Sequence, residues 1–159
     1  MKQLDPAHFR AVMGHFATGV AVVTATSENG PVGMTANAVA SLSLRPLLLL
    51  VCFDNEARTL PVVAESKRFG VNVLAAGQHE LARLFASKTP ETEKFAEVPH
   101  RVHDGIPVIE GALAWVGCDL ERLVEAGDHT IGIGAVTAAE SGEGEPLVWY
   151  RGGYGGFKR

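Results

Sequence analysis

Two periods of hydrophobic alternation run along this chain, and the places where one gives way to the other mark out its elements. Phe9, Val12, Met13 and Phe16 recur at helical spacing. Asp5 stands where a cap is needed and Pro6 suits the first turn, so a helix is expected from there, stopped by Gly19. "VAVVTAT" then reads as a strand, and "ENGP" as a turn into a second strand through "GMTANAVASLSL". That second strand is too polar for its place, because Thr35, Asn37, Ser41 and Ser43 stand where a packed interior would carry Val or Ile. "LLLLVCF" is apolar at both parities, the pattern of a central strand buried on both faces.

A short helix is expected from Ala57 to Ser66, with Leu60 and Val63 facing inward. "RFGVNVLA" alternates Phe69, Val71 and Val73 as a half-buried strand does, and "QHELARLFAS" returns to helical spacing through Leu81, Leu84 and Phe85. From Lys88 to Gly105 the chain is polar and Pro-bearing, which reads as a long loop. Two long strand-like runs follow, "GALAWVGCDLERLVEAG" and "DHTIGIGAVTAAESG", joined by a tight turn near Gly127. "EPLVWYRG" supplies a last strand, and "YRGGYGGFKR" reads as a mobile tail. Strands outnumber helices, tight turns favour antiparallel pairing, and no βαβ alternation is present. The expectation is one domain over residues 1–159, mainly β with flanking helices, with the strands closed into a small barrel.

Composition narrows the function. At 47% hydrophobic and 20% charged the chain can build a core, and a net charge of −4 argues against a nucleic-acid partner. The longest apolar run is far short of the roughly 20 residues that span a bilayer. "MKQLDPAHFR" carries no apolar leader, and two cysteines, Cys52 and Cys118, make no disulfide framework. A soluble, cytoplasmic protein that does not bind membranes is the expectation. His100 and His103 lack a Cys or carboxylate at ligand spacing, so no metal site is expected.

Candidate chemistry is sparse. "GIGAVT" lacks the third glycine of a dinucleotide loop, and no P-loop lysine occurs. Gly132 and Gly134 share one strand face, which fits either the close approach of a ligand or a bend of the barrel. His129, next to Asp128 at a strand start, is either a site residue or a structural one. Arg58 and Thr59 open a helix, which fits an anion such as phosphate or an ordinary solvated start.

Several stretches taken together resemble one family. "FRAVMGHFATGVAVVTA", "GMTANAVASLSLRPLLLLVCF", "ARTLPVVAESKRFGVNVLA", "LARLFAS", "GIPVIEGALAW", "AGDHTIGIGAV" and "YRGGYG" occur in the order found in the flavin reductase domain, the reductase component of two-component flavin-dependent monooxygenases. The resemblance implies a flavin-binding split β-barrel, a Greek-key antiparallel barrel, working as a homodimer. It implies NADH or NADPH as hydride donor and FMN or FAD as acceptor, with reduced flavin released to a separate monooxygenase. It places Thr35, Ala36 and Asn37 beside the isoalloxazine, and Ser41 and Ser43 toward the ribityl chain and phosphate. Cys52, Phe53 and Asp54 fall at the flavin's other edge, Arg58 and Thr59 on the phosphate side, and Phe85, Ala86 and Lys88 in the same cleft. His129 matches the histidine that meets the nicotinamide, and Tyr154 a C-terminal residue near it. Gly132 and Ala135 depart from the family's usual bulky residue and Glu, which bears on pocket width and nicotinamide grip. Two rival readings share the fold: a flavin-retaining oxidoreductase that reduces ferric iron or a cobalt corrinoid, and a non-catalytic flavin-binding module.

Overall fold

A computed structural model describes residues 4–158. In chain order, its first half runs α1 (Pro6–Met13), β1 (Thr18–Gly19), β2 (Ala21–Ser27), β3 (Gly30–Ala36), β4 (Val39–Leu44), β5 (Leu47–Asp54), α2 (Thr59–Ser66) and β6 (Arg68–Val73). The second half runs α3 (His79–Ala86), α4 (Glu91–Ala96), β7 (His100–His103), β8 (Ile106–Ile109), β9 (Ala114–Ala126), β10 (His129–Ser141), β11 (Leu147–Tyr150) and β12 (Gly153–Gly156).

Seven strands pair in the order β3-β2-β6-β9-β10-β5-β4, every pair antiparallel. That order forces the sheet to curl. Laid flat it would be about 29 Å from first strand to last. Yet β3 and β4, its two edges, are consecutive in the chain and joined only by Asn37 and Ala38, a link that reaches about 11 Å at most. The edges therefore meet at these two residues and are not hydrogen-bonded to each other along their length. This is a split barrel, mainly β with few helices, and the stretch read as one polar strand over 33–46 is two strands meeting at the seam.

The barrel interior holds Val23, Leu49, Val51, Phe53, Val63, Phe69, Val71 and Cys118, with Phe53 and Phe69 edge to face at 6.1 Å. Burial, and then the Asp119 charge beside it, push the Cys118 thiol up to about 12, so this cysteine packs and does not react. Gly132 and Gly134 of β10 face inward. A Cβ on Gly132 would stand 2.6 Å from the Phe53 ring, and one on Gly134 2.6 Å from Phe69. These glycines make room for core rings rather than for a cofactor, which corrects the close-approach reading of that face.

Other expectations shift for similar reasons. In β5 only alternate residues are buried, because its second face belongs to the outside of the curled sheet. β6 lies between β2 and β9 and is buried on both faces, including Asn72. That amide is fully used: it donates to Val22 O and Thr24 Oγ1 and accepts from Ile109 N. Thr24 Oγ1 in turn donates to Pro107 O. These bonds dock the β7–β8 hairpin, so the expected loop from Lys88 to Gly105 instead contains α4 and β7. The presumed tail contributes β12, paired with β11, while β11 also pairs with β1.

α1 is capped as expected, Asp5 accepting from Ala7 N, but it stops at Gly14 instead of Gly19. None of its residues is buried, and Phe9, Val12 and Met13 stand about half exposed.

Candidate functional site

The seam opens into a cleft of about 1230 Å³. One wall is Ala36, Asn37, Ala38 and Ala40 with Leu50 and Cys52 of β5. The Cys52 N–H donates to Ala38 O at 2.9 Å, which pins the seam to β5. Small side chains here leave the backbone within reach of a flat molecule. A second wall comes from α1, β1 and the β11–β12 turn, including Arg10, Thr18, Gly19, Trp149 and Arg151, which sequence reasoning did not single out.

Two features of this wall call for a bound group. Thr18 Oγ1 is buried and has no hydrogen-bond partner among the described residues. A hydroxyl shut away from water without a partner is costly, so something polar belongs beside it. Gly19 has no positive φ, and a Cβ there would meet nothing within 4 Å. Neither backbone conformation nor internal packing requires glycine at that position, and its bare backbone faces the cleft. Apolar walls with a few placed polar groups, and room beyond the usual 300–1,000 Å³ of a single ligand pocket, fit a flavin ring with a second ring beside it.

His129 lies just past the rim. It pairs in register with Asp54, as Ile131 does with Cys52, so His129 and Ile131 share the outer face with both residues. Its Nδ1 donates to Asp128 Oδ1 at 2.8 Å. That hydrogen bond, and then the imidazole charge, hold the Asp128 carboxyl below the usual carboxylate range. Asn55 holds the turn beneath. Its N–H donates to Asp128 O at 3.1 Å, its Nδ2 donates to Gly127 O at 3.1 Å, and its Oδ1 accepts from Thr130 Oγ1 at 2.7 Å. No sequence motif marked Asn55, because its partners lie across a strand pair.

The depressed Asp128 carboxyl gives a direct test. The pair is intact above the ordinary carboxylate range and is lost as pH falls through the lowered value. In His129→Ala the Asp128 carboxyl carbon, followed by NMR, should titrate at higher pH than in the parent. An unchanged titration would mean that the imidazole is not the cause.

The structure distributes the other expected site residues unevenly. Ala36, Asn37 and Cys52 line the cleft, and Asp54 adjoins His129. Thr35 Oγ1 donates to Ala82 O at 2.6 Å, tying β3 to α3. Phe53 is wholly inside the barrel, Thr59 is buried, and Phe85 packs against Phe95 beneath Gly33. Ser41 is exposed, and Ser43 Oγ accepts from Arg45 N. Arg58 does stand at the start of α2, but its Nη2 is engaged by Thr89 O at 2.7 Å and Glu91 Oε1 at 3.1 Å. Lys88 is exposed. Ala86 and Tyr154 line a second cleft of about 370 Å³, where Arg83 lies over the Tyr154 ring at 5.7 Å. Trp149 and Gly152 border both clefts. Among the described residues no group of His, Cys, Asp and Glu is placed to hold a metal ion.

A model of the flavin reductase like domain matches residues 13–158. The chain belongs to that family. It is 42% identical over 157 residues to a flavin reductase of Pseudomonas putida, covering 97% of this chain and 91% of the relative. It is 40% identical over 159 residues to the reductase component of a 4-nitrophenol 4-monooxygenase/4-nitrocatechol 2-monooxygenase of Rhodococcus opacus, covering 99% and 84%. Among solved structures it superposes on the NADH:FAD oxidoreductase of Streptomyces globisporus C-1027, in complex with NAD and FAD fragments, with a TM-score of 0.91. That pair shares 36% identity over 99% of this chain and 98% of the other. Membership gives the chemistry a class: an NAD(P)H:flavin oxidoreductase of the kind that serves a separate monooxygenase.

Proposed function

We propose that this chain oxidises NADH, hands the electrons to FMN or FAD at the seam, and releases reduced flavin to a separate flavin-dependent monooxygenase in the cytoplasm. The observation that carries the reading is the cleft itself. It offers small side chains and an open backbone, and among the described residues no Asp or Glu lines it. Flavin when bound supplies the hydride-accepting ring, so the protein's task is placement. Ala36, Asn37 and Cys52 give the ring a narrow polar edge against an apolar floor. His129 and Asp54 stand beside that edge, where the imidazole meets the nicotinamide. Among the described residues no helix is long and apolar enough to cross a membrane.

The reading includes a homodimer. α1 turns Phe9, Val12 and Met13 outward with no residue buried, Phe16 is 70% exposed, and Leu42, Leu44 and Leu47 stand out from the sheet. A second copy covering these faces removes apolar surface that the described residues leave uncovered.

Steady-state NADH oxidation is expected only when FMN, FAD or riboflavin is present, with oxygen consuming the product and no organic molecule hydroxylated. Light scattering should give about twice 16.8 kDa at micromolar concentration. No oxidation with any flavin would overturn the activity, and a 16.8 kDa species would overturn the dimer.

A further inference from the structure

The cleft carries a charge that the chain as a whole does not. The sequence has a net charge of −4, yet no Asp or Glu lines the cleft, while Arg10 of α1 and Arg151 of the β11–β12 turn do. Among the described residues neither arginine makes an ion pair. Their backbones are linked through Gly14: the Arg151 N–H donates to Gly14 O at 3.0 Å, and the Gly14 N–H donates to Arg10 O at 2.9 Å, which ties the turn to the end of α1.

Arg151 is also a poor residue for its own backbone. Tyr150 and Gly153 close a two-residue hairpin loop in which Arg151 has φ 48 and Gly152 φ 82. Such a loop favours Asn-Gly, because positive φ is disfavoured for a long side chain. An arginine held there against local preference, lining a cleft and without an ion pair among the described residues, points to a role beyond the turn.

We propose that Arg10 and Arg151 form a phosphate subsite for the nicotinamide dinucleotide. The inference rests on the NADH-dependent reading given above. Two flat rings must lie together for hydride transfer, and the seam wall with Asn37 and Cys52 serves the flavin. The second wall, with Thr18 Oγ1 unpartnered and Gly19 bare, remains for the donor. Guanidinium groups grip phosphate oxygens in pairs, which suits the linked phosphates of a dinucleotide.

The test uses Arg151→Asn and the double variant Arg10→Gln/Arg151→Gln. In the double variant the KM for NADH should rise about ten- to hundredfold, with a smaller change in kcat. The kcat/KM for dihydronicotinamide riboside, which has no phosphate, should hold. Arg151→Asn should raise the KM for NADH while keeping or raising the Tm, because Asn suits the left-handed turn; a structural role for Arg151 predicts the opposite shift in Tm. Calorimetric binding of ADP should weaken in both, a readout that stands even if the parent turns over no NADH. Unchanged NADH and ADP affinity would overturn the proposal. So would a loss of FMN affinity with riboflavin affinity retained, which assigns the arginines to the flavin phosphate, or a shift to monomer, which assigns them to a subunit interface.

Discussion

Glu91→Ala should destabilise the fold by about 3–5 kcal/mol, the usual result of stripping the partner from a buried charge. Glu91 is the hub of an ion network on α4. Its Oε1 lies 3.1 Å from Lys94 Nζ and 3.1 Å from Arg58 Nη2, and its Oε2 accepts from Gly33 N at 2.9 Å. The Lys94 side chain is only 3% exposed and sits 5.9 Å from the centre of the Phe85 ring. Without Glu91 its ammonium keeps one long bond, to Phe85 O at 3.5 Å, while the Gly33 N–H loses its acceptor. Removing both charges in Glu91→Ala/Lys94→Met should recover most of the loss, since the desolvation problem goes with the lysine. Chemical denaturation of the parent, the single variant and the double variant measures this. A double variant as unstable as the single would show that Glu91 acts mainly through Gly33 and Arg58.

Much of the fold was legible in local pattern. The cap at Asp5, the strands "VAVVTAT" and "LLLLVCF", and the long β9–β10 hairpin all follow from periodicity and turn residues. What escaped depended on partners distant in sequence. "LLLLVCF" is apolar at both parities, yet its second face is only half-buried, because that face belongs to the outside of a curled sheet and lines the cleft. β12 has a glycine-rich sequence with no strand pattern and exists because β11 offers it an edge. The polar stretch from Lys88 to Gly105 folds because Asn72 and Thr24, buried and far away in the chain, bond the backbone of β8, Asn72 accepting from Ile109 N and Thr24 donating to Pro107 O.

The candidate site was legible only as a set of residues, not in how they would be placed. Resemblance pointed to Ala36, Asn37 and Cys52, which gather at the seam, and to Asp54 and His129 beside it. It pointed equally to Arg58, whose guanidinium is taken by Glu91 and Thr89, and to Phe53, which lies wholly inside the barrel. The second wall went unread because Arg10, Thr18, Gly19 and Arg151 look ordinary in sequence. What sets them apart is what is absent around them among the described residues: a hydrogen-bond partner, a neighbour within 4 Å, an opposite charge.

His129→Ala should lower kcat/KM for NADH roughly 5- to 150-fold, the equivalent of about 1–3 kcal/mol for one lost hydrogen bond or stacking contact to a bound ring. Flavin affinity and Tm should hardly move. That separation follows from how the turn is built. Its three bonds run from Asn55 to Asp128 O, to Gly127 O and from Thr130, and none of them uses the imidazole. The one side-chain bond His129 makes among the described residues, to Asp128, is to a carboxylate 95% exposed, and such a pair adds little stability. Asn55→Ala is the contrasting variant. It leaves His129 in place but removes two of the turn's three bonds, so it should lower Tm and disturb NADH kinetics together. NADH kinetics, flavin Kd and Tm measured on both variants decide the matter. If His129→Ala keeps full NADH kinetics and loses Tm, the imidazole is a cap on the turn and the nicotinamide is met elsewhere.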